Sequence, residues 1–268
     1  MIVFAPAKIN LGLHITGKRD DGFHEIESVM IPIPIYDIIE ILESDTFTFR
    51  CTGDISVEGN NNLCEQAFKL IKNEYNISPV YIHLRKQIPI GAGLGGGSSD
   101  AAFVLKALNQ LFDLNMSNQK LKELSAILGS DCPFFIDSEP QLAKGRGELL
   151  EKFSLDLSDY SILLIYPKIH ISTREAYGGI TSYTKRGILV HQLNAPRKDW
   201  PMLLKNDFES SVFRNHPLLQ SIKDELYEQG AQYASLSGSG STVFGLFKKN
   251  KIPTIPSFKD FSTFKGEL

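Results

Sequence analysis

Cysteine is scarce in this chain of 268 residues: Cys51, Cys64 and Cys132 stand far apart, odd in number and without a CxxC pair. That argues against a disulfide framework and a zinc site, and leads us to expect the cytoplasm. The six histidines, among them His83, His170, His191 and His216, never fall into a metal-binding spacing such as HxxxH. Positive charge is not in excess either. The formal net charge of −3 speaks against a nucleic-acid-binding protein, which needs a basic face. Eighteen consecutive apolar residues occur nowhere, and the opening MIVFAPAKIN lacks the basic-then-apolar order of a leader, so neither a membrane span nor export is expected. Repeats, low-complexity tracts and long linkers are missing. What remains is ordinary globular composition, 42% hydrophobic and 22% charged, sufficient for one large core or two modest ones.

Glycine, by contrast, is concentrated. PIGAGLGGGSSDAA, residues 89–102, joins an alternating run at 80–88 to an apolar run at 101–112 through Gly91, Gly93, Gly95, Gly96 and Gly97. Glycine permits positive φ and removes the Cβ that would keep a bound group from the backbone, so several N–H groups converge on one small volume. Ser98, Ser99 and Asp100 are good helix-start residues, and the period of 101–112 predicts a helix with its positive dipole end toward the loop. A phosphate, most commonly from a nucleotide, fits there; a ligand-free turn packed under a helix is the plainer alternative. Gly91, Gly93 and Gly96 match GxGxxG, but no second strand follows. Instead Leu121, Leu124, Ile127 and Leu128, with Gly129 as a stop, predict another helix over 117–128. No Gly-Lys-Ser/Thr closes a P-loop.

Residues 9–15 alternate strictly, with Ile9, Leu11, Leu13 and Ile15 on one face of a half-buried strand and Lys8, Asn10, Gly12 and His14 on the other. On the plain reading Lys8 and Asn10 face solvent. A turn at 16–22 leads to Phe23 and His24 side by side. Two prolines in 31–35 argue against a regular central strand, while 38–42 and 47–51 predict a hairpin or two paired strands. Asn62 and Glu65 form a capping-box-like start to a helix reaching Tyr75. In GSDCPFF, 129–135, Asp131 sits on a short turn, where a merely turn-forming role is an even alternative, and Cys132 reads as a buried structural thiol. A second unit begins near Leu155. It holds a strand at 161–166, a capping box from Ser172 to Glu175 opening a short helix that carries Tyr177, an irregular polar stretch at 178–199, and a helix at 217–229. SLSGSGSTVFGLF, 235–247, is a second glycine-serine loop feeding a strand. Two such loops, one per half, suggest a cleft contacted from both sides; a wide hairpin is the alternative.

PAKINLGL at 6–13, PIGAGLGGGSSDAA at 89–102 and SGSGSTVFGLF at 237–247 resemble, in order, the three motifs of the galactokinase, homoserine kinase, mevalonate kinase and phosphomevalonate kinase superfamily. AKINLGLHI, DGFHEI at 21–26, GGGSSD and GSDCPFF are similar to its branch acting on a cytidine-diphosphate-linked methylerythritol in the non-mevalonate isoprenoid route. The resemblance implies an α+β protein of two domains with the active site between them: a ribosomal-protein-S5-like ATP-binding domain at 1–152 and a ferredoxin-like domain at 153–268. It implies transfer of the ATP γ-phosphate to the 2-hydroxyl of the methylerythritol moiety, with Lys8 and Asp131 as the catalytic pair and Asn10 orienting the sugar alcohol. By the same resemblance Phe23, where tyrosine is more usual, and His24 hold the cytosine, and Tyr177 closes the sandwich. Adenine is expected around residues 60–63, including Asn61. The triphosphate is expected across Gly93, Leu94, Gly95, Gly96, Gly97, Ser98 and Ser99, with Pro89 and Gly91 at the start of the loop. Mg²⁺ is expected with ATP, without a named protein ligand. The expected partners are small molecules only, with no nucleic acid and no membrane, and the chain is expected to be a monomer or weak homodimer. Two alternatives stand. DGFHEI speaks against a superfamily kinase for homoserine, mevalonate or a sugar, since none carries a nucleobase. Lys8 and Asp131 speak against a non-catalytic nucleotide-binding module.

Overall fold

Two long strands open the chain, β1 (Ile2–Lys18) and β2 (His24–Glu43). A computed structural model describes residues 1–53, 62–255 and 258–268. After β2 come β3 (Thr48–Gly53), α1 (Leu63–Tyr75), β4 (Val80–Lys86), α2 (Gly96–Leu111), α3 (Asn118–Leu128) and α4 (Phe134–Asp137). Then follow β5 (Gln141–Lys144), β6 (Leu149–Lys152), β7 (Tyr160–Tyr166), α5 (Thr173–Gly178), α6 (Ile188–Leu193), α7 (Trp200–Leu203), α8 (Glu209–Asn215), α9 (Pro217–Glu228), β8 (Tyr233–Leu236), β9 (Val243–Lys248) and β10 (Ser262–Glu267). The chain divides into two compact units, and both long strands contribute to each. One comprises Met1–Lys8, Ile35–Ile90 and Gly95–Glu139, the other Ile9–Pro34, Gly91–Leu94 and Pro140–Leu268. No helix among the described residues is long and apolar enough to cross a membrane.

In the first unit β4 is central. It pairs antiparallel with β2 (Ile38↔Arg85 to Glu43↔Val80) and parallel with β3 (Thr48↔Tyr81 to Gly53↔Lys86). The hairpin expected of 38–42 and 47–51 is therefore corrected: both runs flank β4. A parallel pair needs a crossover, which α1 supplies, and β4 buries Val80, Ile82 and Leu84 between its neighbours. Helices α1 and α2 pack together, burying Ala67, Phe68 and Ile71 on one and Val104, Leu105 and Leu108 on the other. Helix α2 starts at Gly96 and not at Ala101. Gly95 caps it in the left-handed region (φ 70°), and Ser99 N–H already donates to the Gly95 carbonyl at 2.9 Å. Ser98, Ser99 and Asp100 thus lie inside the helix.

The second unit carries an antiparallel sheet in the order β10-β7-β9-β8. Helix α9 lays Leu219, Ile222 and Leu226 into its core with Leu163, Ile165, Leu236, Val243 and Phe247. The glycine-serine stretch is the loop of the β8–β9 hairpin. Residues 178–199, read as irregular, contain α6 and a 3₁₀ turn at Arg197–Asp199, because Leu189 and Leu193 find a core to enter.

Strand β2 runs straight through Pro32 and Pro34, against the sequence reading. Its registers with β5 cover Ser28 to Met30 and those with β4 cover Ile38 to Glu43, so the prolines fall between them. Two residues apart, both missing N–H groups face the same edge, and neither ladder loses a donor. Strand β1 departs too. Residues 5–15 are buried on both faces, so Lys8 and Asn10 are inside the protein and not on a solvent face.

Candidate active site

The glycines of residues 91–97 separate into three that packing demands, Gly93, Gly95 and Gly96, and two that it does not, Gly91 and Gly97. In the second unit, Gly93 (φ 79°) lies against the β8–β9 loop: Ser237 Oγ donates to its carbonyl at 2.9 Å and Thr242 N–H to that of Ala92 at 3.2 Å. A Cβ at Gly93 would collide with the Ser237 carbonyl. Leu94 and Pro89 are buried, and Gly91 (φ 66°) is exposed. In the first unit a Cβ at Gly95 would stand 2.9 Å from Phe135 Cζ and 3.0 Å from Lys8 Cγ, and one at Gly96 3.1 Å from Lys86 Nζ. Gly97 is different. Among the described residues a Cβ there would meet only Leu63 Cδ1, at 3.9 Å, so none of them fills the space above it. At a helix start the N–H groups of Gly96, Gly97 and Ser98 have no intrahelical acceptor, and the dipole adds its positive end. Such an arrangement can cradle an anion. The Ser99 hydroxyl is buried without a hydrogen-bond partner among the described residues.

Lys8 reaches the same helix start from β1, its stem passing under Gly95. The turn after α3 delivers Asp131: Cys132 N–H donates to Gly129 O, and Phe135 N–H to Cys132 O, each at 3.1 Å. Lys8 Nζ and Asp131 Oδ2 are 3.4 Å apart, Lys8 with 5% and Asp131 with 31% of its side chain exposed. The carboxylate is thus paired and still open on one side. Burial pushes the neighbouring Cys132 thiol up to about 12, with a hydrogen bond to Ser98 opposing, so it carries no nucleophile.

Sequence reasoning missed a buried trio beneath the cradle. Lys86 Nζ donates to Asp37 Oδ2 at 2.5 Å and to Asp100 Oδ2 at 2.8 Å. Asp37 Oδ1 accepts the N–H groups of Gln87 (2.5 Å) and Ile88 (2.9 Å). The trio ties the end of β4 to the first turns of α2. Burial raises the Asp100 carboxyl to about 8, outweighing the opposing charge of Lys86; Asp37 adds to the rise. Its Oδ1, buried with no partner among the described residues, fits a protonated acid. For Lys86 burial works downward, but the two carboxyls overcome it and hold the ammonium above its ordinary value. A signal existed: Val80, Ile82, Leu84 and Lys86 share one face of β4, so parity alone placed the lysine inside.

In the second unit, Asn10 Nδ2 donates to Ser28 Oγ at 2.8 Å, and that hydroxyl donates to Gly12 O at 2.7 Å. The His24 ring stacks on Tyr177, centroids 4.7 Å apart and planes 22° from parallel, and Tyr177 meets Phe208 edge-on at 4.8 Å. Tyr177 rides on α5, whose Ser172 cap accepts the Glu175 N–H at 3.1 Å as the capping box predicts. Partial burial, then the charge of Lys18, lowers the pKa of His24. Phe23 has 55% of its surface exposed, and Arg146, another residue that sequence reasoning missed, lies over its ring at 5.0 Å. Asn61 lies outside the described residues. Nearby Asn62 caps α1, accepting the Cys64 N–H at 2.7 Å.

Comparison with known proteins adds the family. The chain matches the GHMP kinases N terminal domain over residues 62–139 and the GHMP kinases C terminal domain over 189–255. It is 49% identical to the 4-diphosphocytidyl-2-C-methyl-D-erythritol kinase of Azobacteroides pseudotrichonymphae across 93% of this chain and 94% of that protein. It is 44% identical to the kinase of the same name from Bacteroides fragilis over the whole of both chains. A crystal structure of 4-(cytidine 5'-diphospho)-2C-methyl-D-erythritol kinase superimposes with a TM-score of 0.83 at 29% identity, covering 99% of this chain and 98% of the other. With motifs, geometry and full-length identity in agreement, the chain belongs to the 4-diphosphocytidyl-2-C-methyl-D-erythritol kinase family of the GHMP kinases, which are ATP-dependent small-molecule kinases.

Proposed function

We propose that this protein transfers the γ-phosphate of ATP to the 2-hydroxyl of 4-diphosphocytidyl-2-C-methyl-D-erythritol, a step of isoprenoid precursor synthesis in the cytoplasm. The observation that carries the reading is the 3.4 Å pairing of Lys8 with a half-open Asp131 beside the start of α2. The hydroxyl oxygen attacks the γ-phosphorus, the bond to the β,γ-bridging oxygen breaks, and ADP leaves. A tertiary alcohol is a poor nucleophile, so Asp131 accepts its proton as the new bond forms. The Lys8 ammonium orients that carboxylate and offsets charge on the entering oxygen and the moving phosphoryl group. The N–H groups of Gly96, Gly97 and Ser98 take phosphate charge. Asn10 orients the sugar alcohol, Phe23 and Tyr177 offer ring faces to the cytosine, and His24 offers a hydrogen-bonding edge.

Mg²⁺ accompanies ATP in this reading. The cation is held in this reading by phosphate oxygens and water, with no protein ligand named. We also read residues 1–152 as ribosomal-protein-S5-like and 153–268 as ferredoxin-like, the latter supported by the four-stranded antiparallel sheet and α9, and the protein as a monomer or weak homodimer.

A coupled ADP-release assay with three acceptors tests the function. Turnover is expected with 4-diphosphocytidyl-2-C-methyl-D-erythritol and not with homoserine or mevalonate. Preference for either of the latter would overturn the substrate, and no release with any acceptor would overturn the kinase reading.

A further inference from the structure

The β5–β6 hairpin ends in Gly145, Arg146 and Gly147, with φ of 69° and 112° at the two glycines. The Ile26 N–H donates to the Gly145 carbonyl at 2.7 Å, which fixes this tip to β2 two residues beyond His24. Arg146 then reaches over the Phe23 ring, its guanidinium carbon 5.0 Å from the centroid. The Phe23 backbone is held in turn: its N–H donates to Asp21 Oδ1 at 3.1 Å and its carbonyl accepts the Arg19 N–H at 2.8 Å. Of the arginines around it, Arg19 is engaged by Asp21 at 3.0 Å and by Glu25 at 2.5 Å. Arg146 meets Glu148 only at the edge of ion-pair range, 3.8 Å, while that carboxylate accepts the Arg146 backbone N–H at 2.6 Å.

We propose that Arg146 is a specificity-determining residue, which makes the Phe23 platform favour a nucleoside carrying a diphosphate over the bare nucleoside. The inference rests on the reading of Phe23 and His24 as the cytosine site. A base stacks at about 3.5 Å, so a base between Phe23 and the guanidinium needs about 7 Å where the structure has 5.0 Å. Arg146 must swing aside when a base arrives, and its exposed place on a two-glycine turn permits that. A ligand without phosphate displaces the cation from the ring and offers it nothing. A diphosphate offers oxygens that the planar guanidinium grips in two-pronged fashion. Arg146 therefore penalises cytidine and rewards CDP through one side chain.

Calorimetric titration of the full-length protein with cytidine, CMP and CDP, the nucleotide site filled by a saturating non-hydrolysable ATP analogue, tests this on wild type, Arg146→Ala and Arg146→Lys. In Arg146→Ala, CDP is expected to bind about tenfold more weakly while cytidine binds as well as before or better, so the CDP-to-cytidine ratio falls about tenfold. CMP should fall between them. Arg146→Lys, with a charge but no fork, should recover part of the loss. An unchanged ratio in Arg146→Ala, or cytidine and CDP weakening by the same factor, would overturn the role of Arg146 and leave the base site standing. Wild-type protein that binds none of the three would overturn the base site and the proposal with it.

Discussion

Lys8 and the Lys86 trio of the first unit are set in packed surroundings, with Asp131 paired to Lys8 and open on one side, whereas in the second unit Arg146 on Phe23 and His24 on Tyr177 make two separate, partly exposed ring contacts. Asp37, Lys86 and Asp100 are almost wholly buried, and Lys8 runs beneath a glycine that has no room for a methyl group. Phe23 is more than half exposed, and its partner is a mobile type of side chain. Phosphoryl transfer asks for fixed charge at fixed distance, and burial against backbone supplies it. Recognition of a base asks for a flat apolar face, which tolerates a change of ring: phenylalanine at 23, where tyrosine is more usual, keeps the face and gives up the hydroxyl. On the proposed function, the first region serves the phosphoryl transfer and the second the choice of substrate.

That contrast breaks first at Asp131. In Asp131→Asn the shape and the neighbour Lys8 remain but the proton acceptor is gone. Turnover should fall about 10²–10⁴-fold, with ATP affinity nearly unchanged. Single-turnover kinetics with a nucleotide titration measures both, and near-normal turnover would remove Asp131 from the chemical step.

The next contrast is between stability and binding. Asp37→Ala leaves Lys86 with one partner and strips the Gln87 and Ile88 N–H groups of their acceptor. Denaturant unfolding should show a loss of about 3–5 kcal/mol. Phe23→Ala, at an exposed ring, should shift stability by no more than about 0.5 kcal/mol. Its KM for the cytidine substrate should rise to a degree matching about 1–3 kcal/mol of base stacking. Were Phe23→Ala to unfold the protein, or Asp37→Ala to leave it unharmed, the division between a fixed and an adaptable region would fail.

Which parts were legible from sequence follows the same division. Local rules found the glycine turn leading into α2, the caps of α1, α3 and α5, and the strand face carrying Lys8 and Asn10, because spacing and cap chemistry act over a few residues. They did not find that this face is buried, nor that β2 passes through Pro32 and Pro34. Both depend on which strands lie alongside, and that is decided by residues far along the chain. Lys8 and Asp131 came together only through the family resemblance, since no local period links a strand residue to a turn after the third helix. Lys86 was within reach by parity. Arg146 was not, for nothing in Gly-Arg-Gly tells which ring lies under it.

The smallest expected effect concerns pH. Partial burial, then Lys18, holds the His24 pKa below the ordinary value of about 6.5. The imidazole is therefore neutral at pH 7, with one ring nitrogen as acceptor and the other as donor. Protonation would turn the acceptor into a second donor and set a charge against Tyr177. KM for the cytidine substrate should stay flat from pH 8 down to about 6.5 and rise only as pH falls through the lowered pKa. In His24→Gln the rise should vanish while KM is higher throughout. ATP KM should show no such limb, because the cradle of the first unit does not contain His24. A rise in substrate KM beginning above pH 7, in the direction of a raised pKa, would mean that His24 works as a cation and that the surface region holds its ligand by charge and not by ring and edge.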